Sequence, residues 1–152
     1  MDRQKGIAFC GLACALCSEA AHCVGCRDDG CADREWCTNL KCCRSRRLNG
    51  CWECAEFPCS GTMLDKVRIR AFATFAQRYG VEALLDCLER NEQAGMVYHY
   101  PGSLTGDYDV AESEAGIMEL ILHGNAHREE PHDPAKAQDS DAVPLRPLHA
   151  KP

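Results

Sequence analysis

The spacing of apolar residues divides the chain into three zones. Between 61 and 123 the apolar positions recur every three or four residues. Met63, Leu64, Val67, Ala71, Phe75 and Tyr79 fall on one helical face, with Ser60 or Thr62 placed to cap its start and Gly80 to end it. Val81, Leu84, Leu85 and Leu88 predict a second helix that ends before Gly95. Pro101, Gly102 and Gly106 then forbid a long helix, so 96–109 reads as a loop. Asp109 is a candidate cap for a third helix from about Val110 to His123, with Ile117, Leu120 and Ile121 inward and Gly124 as its stop.

The zones on either side lack that rhythm. In residues 7–59 the large apolar side chains are few and scattered: Ile7, Phe9 and Leu12 near the start, Trp52 and Phe57 near the end. A segment this poor in core-forming residues needs another means of holding itself together. Residues 125–152 carry five prolines and no hydrophobic periodicity, which predicts a disordered tail. His127, His132 and His149 lie there without ligand spacing. The expected organisation is therefore a Cys-rich module over 7–60, a helical segment over 61–124 packed on it, and the tail.

Composition supplies the missing staple. The chain has 152 residues and 13 Cys, and all but Cys87 lie between Cys10 and Cys59. Such density means disulfides or metal. The first residues are polar and charged, no signal-peptide-like run follows, and no apolar stretch is long enough to span a membrane. The expectation is a cytoplasmic chain whose thiols stay reduced, which favours metal. An odd number of Cys and the adjacent Cys42 and Cys43 also argue against a disulfide scaffold. Cys87, beside Leu88 on the second predicted helix, reads as a small buried hydrophobe.

Three Cys-x-x-Cys pairs carry the metal argument: Cys14/Cys17, Cys23/Cys26 and Cys51/Cys54. Two intervening residues let the chain turn so that both sulfurs face one ion, and two pairs complete a tetrahedron of thiolates. With Cys10, Cys31, Cys37, Cys42, Cys43 and Cys59 around them, the twelve thiols suffice for two or three zinc ions. Which of them share an ion is open, and interleaved sites are allowed. His22, beside Cys23, is a possible substitute ligand. Iron–sulfur clusters also take Cys ligands and stand as the alternative cofactor. The spacing Cys10-x3-Cys14-x2-Cys17 matches the three-Cys motif of radical S-adenosylmethionine enzymes. The chain is too short and too helical for their barrel, and Leu16 stands where an aromatic is usual.

The formal charge of -6 is carried mainly by 60–124, and 1–59 is balanced. The one basic cluster, Lys41, Arg44, Arg46 and Arg47, lies among the thiols, where compensation of thiolate charge explains it without nucleic acid. Closed all-thiolate sites are structural, whereas catalytic zinc keeps a position open. Tyr98, His99, Tyr100, Asp107, Tyr108 and Asp109 gather polar groups in one loop, but no nucleophile or cofactor motif accompanies them. Local packing explains that loop, and the sequence points away from an enzyme. Two functions stay in view: a zinc-braced module that interacts with or regulates another protein, and a metal-handling or redox protein.

The run Phe9-Cys10-Gly11-Leu12-Ala13-Cys14-Ala15-Leu16-Cys17, with Cys23-Val24-Gly25-Cys26, Cys37, Cys42 and Cys51-Trp52-Glu53-Cys54-Ala55-Glu56-Phe57-Pro58-Cys59, resembles the domain-of-unknown-function family numbered 3795. The resemblance implies a cysteine-rich, zinc-binding protein of bacteria or archaea and implies no reaction. It carries ligand roles to Cys10, Cys14, Cys17, Cys23, Cys26, Cys37, Cys42, Cys51, Cys54 and Cys59. Cys31 and Cys43 lie outside the motif. The fold class expected overall is a small irregular metal-stabilised module with zinc knuckles, then an all-α segment of about three helices.

Overall fold

A computed structural model describes residues 1–18 and 22–125. Among them are four α-helices: α1 (Thr38–Arg46), α2 (Val67–Tyr79), α3 (Val81–Gln93) and α4 (Glu114–His123). The other regular pieces are single 3-10 turns, and no strand occurs among the described residues. None of the helices is long and apolar enough to cross a membrane. Apart from Asn125, the expected tail and its three histidines lie outside the described residues.

Helices α2, α3 and α4 pack against one another as the periodicity predicts. Ile69, Phe72 and Phe75 of α2, Leu84 and Leu88 of α3, and Ile117 and Ile121 of α4 are all essentially fully buried. Gly80, at φ 89°, lets α2 stop and α3 start without an intervening loop. Asn91 of α3 donates through Nδ2 to the carbonyls of Leu120 and Ile121, at 2.9 and 3.0 Å. Arg90 reaches Leu122 O at 2.7 Å. One helix thus satisfies the last carbonyls of another.

Three local expectations are corrected. Thr62 does cap, accepting from Leu64 N at 3.2 Å, but what it caps is a separate turn, Met63–Asp65. Extended backbone at Lys66 then separates that turn from α2. The last helix begins at Glu114 rather than Val110, and its cap is Ser113, which accepts from Gly116 N at 3.1 Å. Asp109 is committed elsewhere: its Oδ2 accepts from Gly106 N at 2.7 Å and pairs with Arg68. Helix α1 was not predicted, because Leu40 is its one large apolar residue.

The Cys-rich residues share a continuous core with the helices. Ile7, Cys10, Ala13, Leu40, Cys43 and Trp52 belong to the same buried cluster as Phe72 and Leu84. Ala13 N donates to Tyr98 Oη at 3.1 Å, and Gln77 Nε2 donates to Trp52 O at 3.0 Å. Gly11 at φ 106° lies where a Cβ would come within 2.7 Å of Ile69 O, so only glycine lets this turn seat against α2.

Candidate metal centre

Two of the three Cys-x-x-Cys pairs sit on single 3-10 turns. In Cys14–Leu16, Cys17 N donates back to Cys14 O at 3.2 Å. In Cys51–Glu53, Cys54 N donates to Cys51 O at 3.0 Å. The third pair turns differently: Gly25, at φ 90°, donates its N–H to Cys23 Sγ at 3.3 Å. Only a residue comfortable at positive φ lets the peptide point at the preceding sulfur there. All thirteen Cys are free thiols.

The turns and α1 sort the twelve thiols from Cys10 to Cys59 into two groups. Cys10, Cys14, Cys17, Cys23, Cys26, Cys31 and Cys37 line one cavity of about 340 Å³. Cys42, Cys43, Cys51, Cys54 and Cys59 line another of about 50 Å³. The groups are sequential, not interleaved. Helix α1 separates them. Cys37 at its N-cap and Leu40 face the larger cavity, while Thr38, Asn39, Cys42 and Cys43 face the smaller. Cys37 and Cys42 are five residues apart, ~140° around a helix, which sends their sulfurs to different sides.

In the smaller group Cys43 Sγ and Cys51 Sγ are 3.6 Å apart, near the ~3.8 Å edge of a tetrahedron with Zn–S bonds of ~2.3 Å. Nitrogen donors already face this group. Asn39 Nδ2 donates to Cys51 Sγ at 3.3 Å, and Arg46 Nη1 to Cys54 Sγ at 3.4 Å. Asn39 is buried, and its Oδ1 accepts from Met63 N at 3.2 Å, so its amide is held on both sides. Burial, then the neighbouring Cys51, raises the Cys43 thiol, and burial also raises Cys51 against the Asn39 hydrogen bond.

In the larger group burial pushes the Cys10 thiol up to about 12. Cys14 and Cys26 share a hydrogen bond, which places the thiol proton on Cys14 and favours thiolate at Cys26. A backbone N–H from Phe9 and the Arg27 charge reinforce that choice. Leu40 N points at Cys37 Sγ from 3.5 Å. Among the described residues, no three or more His, Cys, Asp or Glu side chains are already drawn together closely enough to hold an ion. The donor set nonetheless has the chemistry that soft-ligand metals require: grouped thiols with N–H donors at sulfur.

The basic cluster is drawn in partly as local compensation. Arg44 donates to Cys26 O at 3.3 Å and pairs with Asp29 at 2.7 Å. Arg46 bridges Cys54 and Glu56. His22 is exposed and lines neither cavity. Cys87 packs, half-buried, against the core and lies at neither group.

Arg68, buried on α2, organises the polar loop. It pairs with Asp109, donates to Tyr98 O at 3.2 Å and Leu104 O at 2.9 Å, and lies 3.3 Å from His99 Nε2. Its guanidinium stacks 4.4 Å from the Tyr98 ring centre. Tyr100 Oη donates to Asp107 Oδ1 at 2.7 Å, and Asp107 Oδ2 accepts from Val97 N at 2.7 Å. These groups hold the loop against α2 and the Cys-rich turns. The sequence did not single out Arg68 or Asn39, because their partners are remote in the chain. No family model, curated protein or solved structure matches this chain.

Proposed function

We propose that this chain is a cytoplasmic zinc-binding protein in which two thiolate centres brace the N-terminal module so that it can present a surface to another protein. The observation that carries the reading is the sorting of twelve thiols into two separate cavities on either side of α1. For the smaller centre the proposed ligands are drawn from Cys42, Cys43, Cys51, Cys54 and Cys59, of which Cys43 and Cys51 stand 3.6 Å apart. Cys43, Cys51 and Cys59 each feel the charges of Cys42 and Cys54. The Gly25–Cys23 contact supports a zinc-knuckle turn at Cys23/Cys26, and the motif resemblance supports the same metal. Trp36 is 84% exposed on the Cys31–Cys37 loop, the kind of side chain that anchors protein contacts.

The test is metal analysis of full-length protein purified without oxygen. Colourless protein carrying at least two zinc ions per chain is the expected result. A second reading, an iron–sulfur cluster in the larger cavity, is favoured by that cavity's greater volume alone. Brown protein whose visible absorbance bleaches with dithionite would establish it and remove the zinc reading.

A further inference from the structure

We propose that the seven thiols from Cys10 to Cys37 form one binuclear zinc site, with a single thiolate bridging the two ions. The proposal rests on the zinc reading above and goes beyond it in ligand grouping and ion count. A closed zinc ion takes four bonds, so two ions need eight. Seven thiolates binding once each supply seven, and one that binds both ions supplies the eighth. A single four-thiolate ion would leave three thiols over in the same cavity. The other five Cys line the second cavity, where Cys51, the one nearest Cys10, is engaged by Cys43 and Asn39, and His22 is exposed and lines neither cavity.

Cys26 is the thiol placed to bridge. It is buried in the cavity wall, and its neighbour Gly25 lies against Cys14 on one side and accepts from Gly30 N, next to Cys31, at 2.9 Å on the other. Cys10 and Cys14 come from the first Cys turn, Cys31 from the loop beyond. Asp33 also lines the cavity, but it is exposed, at the edge shared with a third cavity, and is not assigned a bond.

The balance closes without redox chemistry. Seven S–H bonds break, eight Zn–S bonds form, and the protons pass to solvent. Two dications and seven thiolates leave a charge of three minus. Lys5 on the cavity wall and Arg27, stacked on Phe9 and bonded to Ile7 O at 2.6 Å, supply positive charge beside it, and Arg44, itself paired with Asp29, bonds Cys26 O.

The test replaces zinc in the full-length protein with a spin-active cadmium isotope and records its NMR spectrum, beside the zinc count of the native protein. Three zinc ions per chain and three cadmium resonances, two of them mutually coupled through the shared sulfur, are expected. Three uncoupled resonances, or two ions per chain, would overturn the bridge and leave the zinc reading standing. Iron in place of zinc would overturn both. Cys26→Ser should lower the zinc count below three and abolish the coupling between the two cadmium resonances, and a variant that keeps the coupled pair would show that Cys26 is not the bridge. Asp33→Asn should leave three, and loss of an ion there would make Asp33 the eighth donor.

Discussion

Asn39 shows how one residue can tune a thiolate centre without being a ligand. Its buried amide donates to Cys51 Sγ at 3.3 Å while its carbonyl oxygen accepts from Met63 N at 3.2 Å. It therefore fixes the sulfur's position and favours the thiolate form. Asn39→Ala should weaken metal retention at the smaller centre by about 10–100-fold, the usual cost of removing such an outer partner. Chelator competition followed by metal counting checks this. The larger centre should be untouched, and equal loss from both would contradict the separation of the two groups. Arg46 at Cys54 Sγ is the charged counterpart, and it explains why a basic cluster lies among thiols.

At the scale of elements, α2 is the organiser. It packs on α3 and α4, contacts the Cys51–Glu53 turn, and carries Arg68 to the polar loop. Gly11 marks its closest approach to the first Cys turn. In Gly11→Ala the new Cβ would meet Ile69 O at 2.7 Å and Ala73 at 3.0 Å, at a φ of 106° that alanine resists. A loss of about 1–3 kcal/mol is expected, read as a lower urea midpoint. An unchanged midpoint would mean that the Cys-rich turn does not bear on α2. Periodicity made α2 and α3 legible, because their apolar positions face one shared core. It could not reveal α1, which is anchored by Cys37, Asn39, Leu40 and Cys43 rather than by an apolar stripe. The start of α4 was misplaced because Asp109 answers to Arg68, 41 positions away. Similarly, Cys-x-x-Cys spacing shows which thiols can face one ion. Which groups form depends on the phase of α1, a property of the folded chain.

For the whole molecule the proposed ions make folding and metal uptake one process. In the metal-free fold burial pushes Cys10 up to about 12, against ~8.5 for an exposed thiol. A raised folded value stabilises below the unfolded one, so the metal-free fold loses this contribution as pH rises from ~8.5 towards about 12. The zinc-bound fold behaves oppositely. Its ligands must be deprotonated, so stability is lost as pH falls and protons compete with zinc. With chelator the urea midpoint should fall as pH rises above ~8.5, whereas without chelator it should fall as pH drops. The chelated protein should also be cut first by protease within 7–59. Parallel slopes would contradict the role given to zinc in holding that segment.

The most direct test of that role is the mass of the intact chain under native conditions set against its mass after acid denaturation, on protein kept from oxygen. A native mass higher by at least two zinc ions, less the protons displaced, and a denatured mass with all thirteen thiols reduced, is the predicted result. Equal masses from a folded chain, or a denatured mass short of protons by the formation of disulfides, would contradict it.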